Sequence, residues 1–182
     1  MKILDSKGFT MIEIVIVIFI TGVIGSMAAG LLYQGADIYV KETDRQGFIS
    51  QSRSAFWRLM REVQGQRSSV DFDQSGQAIL NLKNANNNPR VFQIASNEFE
   101  FRLDGSSYSD LSTDLFSNNF YFYDNIFSDI TPSSSGSLSL SDAERVYLTK
   151  LKITFQKGPD SFSLSSYVYP INFRFGKKMS YH

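Results

Sequence analysis

Residues 8–20 read Gly8-Phe9-Thr10-Met11-Ile12-Glu13-Ile14-Val15-Ile16-Val17-Ile18-Phe19-Ile20 and open an apolar segment. No charged residue occurs between Ile14 and Ala36, and the β-branched run leaves no polar face. About 20 such residues, rising ~1.5 Å each in a helix, span a hydrocarbon core of ~30 Å. The segment therefore predicts a membrane-spanning helix over residues 9–36.

One carboxylate, Glu13, lies inside this apolar segment. A charge at mid-bilayer costs on the order of 2.5–3.5 kcal/mol, so an intramembrane acid is a functional candidate that needs a cationic partner. Lys2 and Lys7 precede the segment and favour a cytoplasmic amino end. Cleavage after Gly8 would create a different cation, a new ammonium at Phe9, one helical turn from Glu13.

The motif Gly8-Phe9-Thr10-Met11-Ile12-Glu13, followed by an apolar run, resembles the type IV prepilin processing motif of pilins, minor pilins and the pseudopilins of type II secretion. The resemblance implies that a prepilin peptidase cleaves between Gly8 and Phe9 and methylates the Phe9 amine. It also implies that Glu13 neutralises this amine, in its own or a neighbouring subunit, as helices pack into a filament. The implied partners are the peptidase, other pilin or pseudopilin subunits, an inner-membrane assembly platform and the lipid bilayer.

A second resemblance covers the segment from Tyr39-Val40 through Arg61-Glu62-Val63, which is similar to MSHA-type O minor pilins and, more distantly, to the J minor pseudopilin of type II secretion. Together the two resemblances imply a structural minor pilin or pseudopilin rather than an enzyme. The implied location is the inner membrane, as a single-pass protein with a cytoplasmic amino end and an exported head, and then a pilus or pseudopilus.

An ordinary secretory signal is the alternative reading of the same segment. Ser26-Met27-Ala28 offers small residues where a signal peptidase cleaves, which would release a soluble protein starting at Ala29. Glu13 and the apolar residues that continue to Leu32 argue against it. This reading leaves open a signal-anchored or secreted β-rich binding protein that recognises sugar or DNA.

Small residues recur at four-residue spacing within the apolar segment, at Gly22, Ser26 and Gly30. Such a stripe allows helix backbones to approach closely in lipid. We expect it to be a helix-packing face, although glycine is also simply commoner in membrane helices.

Composition limits the other functions that the chain could have. Its 182 residues carry 18 Lys+Arg and 18 Asp+Glu, and this balance argues against nucleic acid as a partner. There is no cysteine, and His182, the single histidine, is the last residue, so the sequence predicts no catalytic triad, metal site, cofactor or small-molecule substrate.

The predicted fold class is α+β, with a long N-terminal helix packed on an antiparallel β-sheet head, in a pilin-like arrangement. The expected regions are a leader over 1–8, a membrane and filament-core helix over 9–36, an amphipathic continuation over 37–67 and a β-rich head over 68–182. Apolar residues at helical spacing, among them Phe48, Phe56, Leu59 and Val63, predict the packed face of the continuation.

Alternating patterns predict the strands of the head. The predicted strands are 69–72 paired with 77–82, 90–94, 97–103, 120–123, and a hairpin of 147–155 with 162–169 around Gly158-Pro159. Serine- and aspartate-rich segments over 104–119 and 128–142 predict exposed loops.

Four further groups of head and helix residues invite functional readings. Asp71-x-Asp73-x-Ser75-Gly76 matches the opening of a calcium loop but lacks its glutamate, so we expect no metal there. The Phe120–Tyr123 alternation predicts two inward and two outward rings. Glu98 and Glu100, beside Arg102, are expected on a solvated face of their strand. The last group could form a basic face of the helix and comprises Arg53, Arg58, Arg61 and Arg67.

Overall fold

The computed structural model describes residues 8–95 and 97–172. Within these residues a helix, α1, extends over Met11–Gln64 and is followed by a 3-10 helix, seven strands and a second short α-helix. The chain divides into two compact units between Gln46 and Gly47. The order of a long helix followed by antiparallel sheets confirms the predicted α+β, pilin-like fold class.

The first unit contains the part of α1 that ends at Gln46. Every residue from Gly8 to Gln46 is exposed, including the whole apolar run. α1 is the one helix, among those described, that is long and apolar enough to cross a membrane. Just beyond the apolar run, the side chain of Lys41 forms an ion pair with Asp37 at 2.7 Å.

In the second unit, α1 buries one face against the head. The buried residues are Phe48, Ser52, Ala55, Phe56, Leu59 and Val63. Their spacing of three or four residues places them in one stripe, which is the face that the sequence predicts. Ser52 lies in the same stripe and is 0% exposed.

Two antiparallel sheets form the head rather than a single one. The first has the order β1-β2-β3-β4, with β1 at Ile79–Lys83, β2 at Pro89–Ala95, β3 at Glu98–Leu103 and β4 at Ser109–Ser112. The second has the order β5-β6-β7, with β5 at Leu115–Tyr123, β6 at Leu148–Lys157 and β7 at Asp160–Val168. The β6–β7 hairpin, which pairs Lys157 with Asp160, confirms the clearest strand prediction.

Aromatic rings from both sheets fill the core of the head. Phe92 and Phe99 of the first sheet and Phe120, Phe122 and Phe155 of the second are all 0% exposed. Full burial of one such ring stabilises a fold by about 1.5–3 kcal/mol, so these positions dominate the stability of the head.

The structure corrects three of the local predictions. Residues Ser69–Phe72 form a 3-10 helix and not a strand, because Phe72 is buried while the Asp71 carboxylate accepts hydrogen bonds from Arg67. The expected loop over 104–119 contains β4 and the first half of β5. Polar residues of this part of β5 have hydrogen-bond partners in the head; for example, Asn118 Nδ2 donates to the Gln77 carbonyl at 3.1 Å. The expected loop over 128–142 ends in helix α2, Leu140–Arg145, which Ser139 caps by accepting from the amide of Asp142 at 3.2 Å.

Candidate functional site

The start of α1 is organised by hydrogen bonds between Thr10 and Glu13. The Thr10 amide donates to Glu13 Oε2 at 2.7 Å, and the Thr10 hydroxyl donates to the same oxygen at 2.8 Å. The Glu13 amide donates back to Thr10 Oγ1 at 3.4 Å. Thr10 is thus the N-cap and Glu13 the third helical residue of a capping box.

Sequence reasoning identified Glu13 but missed Thr10. The signal was present, because a threonine followed three residues later by a glutamate, just before an apolar run, is the capping-box pattern. The cap matters more in lipid than in water, since an amide without a partner costs several kcal/mol in a medium that offers none. Glu13 therefore has a structural role at the helix start in addition to the charge that the sequence indicated.

The Glu13 carboxylate contacts the peptide group that follows Phe9, one residue beyond the bond that the sequence predicts to be cut. Its Oε2 atom contacts the amide of Thr10, which is joined directly to the carbonyl of Phe9. Gly8 and Phe9 precede the helix and are exposed, so the Gly8–Phe9 bond lies outside regular secondary structure. The segment around the Gly8–Phe9 bond is therefore accessible.

The small-residue stripe lies on the exposed apolar part of α1. A Cβ added at Gly22 or Gly30 would meet nothing within 4 Å. Ser26 satisfies its own hydroxyl by donating to the Val23 carbonyl at 2.9 Å. The stripe is therefore free of unpaired polar groups and accessible to a second helix.

A comparison with protein-family models gives one match at this site. Residues 4–29 match the prokaryotic N-terminal methylation motif. The chain carries the prepilin-type methylation motif. This motif is typical of type IV pilin-like proteins, which are structural rather than enzymatic, and together with the apolar helix it fits a membrane-anchored pilin. No curated protein and no solved structure matches the chain significantly, so the methylation motif and the fold carry the functional argument.

The remaining candidate residues belong to the head, outside the methylation motif. Asp71 is 9% exposed, and its carboxylate is held by Arg67 at 3.0 Å and by Lys83 at 3.5 Å. The first aspartate of the calcium-like pattern therefore forms ion pairs with two basic side chains. Arg67 lies beyond the end of α1 at Gln64, so the possible helix face of four arginines does not include it.

Arg58 and the outward-facing acids have partners in the fold. The Arg58 guanidinium lies 4.1 Å from the centre of the Phe101 ring. Glu98, Glu100 and Asp110 place carboxylate oxygens within 4.8 Å of one another, and Gln93 donates to Glu100 at 2.5 Å. The half-exposed Glu98 and Glu100 lie on the outer face of β3, as predicted.

The aromatic segment 120–123 divides as the alternation predicts. Phe120 and Phe122 are 0% exposed, whereas Tyr121 and Tyr123 lie on the outer face of β5. On that face the Lys150 ammonium lies 5.5 Å from the Tyr121 ring centre and 5.2 Å from that of Tyr167. His182, the last candidate from the sequence, lies outside the described residues.

A buried carboxylate that sequence reasoning did not identify holds the loop after β5. Asp124 is 4% exposed, and its Oδ1 accepts from the amides of Ile126 at 3.0 Å and Ser128 at 2.9 Å. Its Oδ2 accepts from Arg145 Nη2 at 3.1 Å. Burial opposes ionisation, but the amides of Ser128 and Ile126 and the Arg145 guanidinium outweigh it and hold the pKa of Asp124 below its ordinary value.

Proposed function

We propose that this chain is a minor pilin or pseudopilin, a structural subunit of a type IV pilus-like or type II secretion filament. In this proposal a prepilin peptidase removes residues 1–8 and methylates Phe9, and the subunit then enters the filament through its N-terminal helix. The observation that carries the proposal is the methylation motif over residues 4–29, set on a helix whose apolar part is exposed and whose later part packs in the head.

Each part of the helix start has a role in this proposal. Cleavage after Gly8 frees the Phe9 amine, which Glu13, already held at Thr10 by 2.7 and 2.8 Å hydrogen bonds, is placed to neutralise. Neutralisation lowers the cost of moving the charged end through an apolar environment. The stripe of Gly22, Ser26 and Gly30 then allows neighbouring helices to pack closely.

The anchor and the head have separate tasks in this mechanism. The helix keeps the subunit in the inner membrane, with its amino end cytoplasmic, until an assembly platform extracts it. The exported head contacts companion pilin or pseudopilin subunits. Neither task needs a cofactor or a small-molecule substrate.

The experiment that tests the proposal is the intact mass and amino-terminal sequence of the full chain purified from membranes. The chain is expressed with an active prepilin peptidase and, as the matched control, with an inactive one. We expect a product that starts at N-methylated Phe9 only with the active enzyme, and we expect Gly8→Val to abolish it. A product starting at Ala29, or an uncut chain in both strains, would overturn the proposal.

A second candidate function, binding of sugar or DNA by the head, is favoured by one observation. Lys150 lies between the rings of Tyr121 and Tyr167 on the outer face of the second sheet. Aromatic rings beside a cation suit base stacking on single-stranded DNA. Titration of the full chain in detergent with an oligonucleotide tests it, and saturable binding that survives moderate salt and is lost in Tyr121→Ala would support it.

A further inference from the structure

The two sheets of the head have four outer edges, and three of them are closed by contacts or blunted within the chain. An open edge strand presents unpaired amide and carbonyl groups that can bind another strand, and proteins generally cover or blunt such edges. The fourth edge, β7, has no comparable protection in the part of the chain that the structure describes.

The edge of β1 is covered by the segment that follows α1. The amide of Asn81 donates to Ser75 Oγ at 2.9 Å, and the amide of Lys83 donates to Gln66 Oε1 at 2.8 Å. The Lys83 carbonyl accepts from Arg67 at 2.9 Å. These bonds satisfy the outer backbone groups of β1.

The edge of β5 is covered in the same way by loops. The amide of Phe120 donates to the Gln77 carbonyl at 3.3 Å, and the amide of Phe122 donates to Thr131 Oγ1 at 2.9 Å. The Phe122 carbonyl accepts from Ile130 at 2.9 Å. The amides of Phe120 and Phe122 on this edge thus have partners.

The edge of β4 is blunted by its length and shape. This strand has only 4 residues, and one of them is the charged Asp110. Its pairing with β3 shifts register between Phe99 and Glu100. Short length, a charge and a bulge are three of the devices that disfavour edge pairing.

From Ser161 to Val168, the strand β7 lacks these devices. It has 9 residues and pairs with β6 without a register shift from Thr149–Val168 to Lys157–Asp160. Between Ser161 and Val168 it contains no charge and no proline. Over the same residues, and within the described ranges, the one backbone hydrogen bond outside the β6 ladder is local, from Ser166 Oγ to the Tyr167 carbonyl at 3.4 Å.

The inner side of β7 is also incompletely covered. Ile153 and Phe155 of β6 are 0% exposed, whereas their register partners Leu164 and Phe162 are only half-buried. A further strand beyond β7, with apolar residues on its inner side, would complete the burial of these two side chains. Removal of this apolar surface from water would favour the pairing.

We propose that the occupant of this edge is β7 of a second copy of the chain, paired antiparallel about a two-fold axis. The strand is complementary to itself, because its inner side carries Phe162 and Leu164 and its outer side carries Ser161, Ser163 and Ser165. A register that places Ser163 opposite its own copy brings each Phe162 opposite Leu164 of the other copy. The absence of charge from Ser161 to Val168 means that no like-charge pair opposes the contact.

This pairing makes an isologous head-to-head dimer and extends each three-stranded sheet into a six-stranded one. It uses residues of the head alone. The proposal therefore does not rest on cleavage at Gly8 or on any helix-mediated assembly.

Disulfide cross-linking in the full-length, membrane-embedded chain tests the proposal, and the natural lack of cysteine leaves no background. Ser163→Cys is compared with Gln156→Cys, which is exposed on β6 and would lie at least three strand spacings, more than about 14 Å, from its copy. After mild oxidation we expect at least about tenfold more dimer from Ser163→Cys, because opposed Cβ atoms lie ~4.5–5.5 Å apart.

A charge placed on the edge provides an independent test in the same full-length chain, using two differently tagged copies. Ser163→Lys should abolish their co-purification in detergent, since it sets two lysines opposite each other, while the matched control Gln156→Lys should not. Co-expression of Ser163→Lys with Ser163→Glu should restore co-purification, which separates a lost contact from a misfolded head.

Three results would overturn the proposal. The first is the absence of dimer from cysteines at Ser161, Ser163 and Ser165 alike. The second is equal cross-linking of Ser163→Cys and Gln156→Cys. The third is cross-linking that appears only when the chain is terminated after Asn172, because the tail of the same chain would then be the occupant.

Discussion

Thr10 and Glu13 satisfy each other's hydrogen bonds at the first turn of α1, with the Thr10 amide 2.7 Å from Glu13 Oε2. The same carboxylate that caps the helix is also the acidic side chain inside the apolar segment. A cap needs only a hydrogen-bond acceptor, whereas neutralisation of an ammonium needs a negative charge. The two roles can therefore be separated by substitution.

Glu13→Gln keeps an acceptor but removes the charge, and Thr10→Val removes the cap but keeps the charge. If charge compensation drives assembly, Glu13→Gln and Glu13→Ala both abolish entry into filaments while leaving cleavage after Gly8 intact. Thr10→Val should weaken the helix start by about 1 kcal/mol and still assemble. The measurement is the fraction of subunit in sheared filaments against membranes, and normal assembly of Glu13→Gln would show that the charge is not required.

The stripe of Gly22, Ser26 and Gly30 predicts a directional effect of side-chain size. Ser26→Leu should prevent close approach of a neighbouring helix and reduce assembly by about tenfold or more, since one well-packed contact is worth 1–2 kcal/mol. Ala28→Leu, which adds similar bulk on the opposite side of the helix, is the matched control and should assemble normally. Both variants should insert into membranes equally. Equal loss of assembly in the two would mean that added volume matters rather than this face.

The sequence alone was sufficient for the long helix and for the strands with clean alternation. Residues 98–103 and the β6–β7 hairpin were predicted because one side of each strand is apolar and the turn residues are distinctive. The buried stripe of α1 is predictable for a similar reason, because its apolar residues recur at the period of a helix.

The secondary-structure predictions fail where polar residues form hydrogen bonds or ion pairs with residues that are distant in sequence. The segment Ser117-Asn118-Asn119 looks like a loop but is a strand, because Asn118 donates to the Gln77 carbonyl, 41 residues away in sequence. Residues 69–72 alternate like a strand but form a 3-10 helix, since Asp71 is drawn to Arg67 and Lys83. Local patterns cannot show such long-range satisfaction of polar groups, and they could not show which sheet edges are closed.

The buried Asp124 predicts a pH dependence of head stability. Its pKa is lowered in the fold, so its contribution is present above the ordinary value of 3.8 and is lost as the pH falls through the lower, folded value. The melting temperature of the full chain in detergent should therefore fall more steeply below about pH 4 than that of Asp124→Asn. Arg145→Gln should reduce the slope partly, since the amides of Ile126 and Ser128 remain as donors. Identical pH profiles for the wild type and Asp124→Asn would refute the assignment.

Adjacent residues of β5 should differ sharply in their effect on stability, because the strand alternates between core and surface. Phe122 is 0% exposed and contacts the Phe72 ring edge-on at 5.7 Å between centres, whereas Tyr121 lies on the outer face. Phe122→Ala should reduce the free energy of unfolding by about 3–5 kcal/mol through lost burial and a cavity, and Tyr121→Ala by about 1 kcal/mol or less. Denaturant unfolding of the full chain in detergent, followed by the fluorescence of the single tryptophan, Trp57, measures both. Comparable losses in the two variants would mean that β5 does not have one buried and one exposed face, and the core described for the second sheet would be wrong.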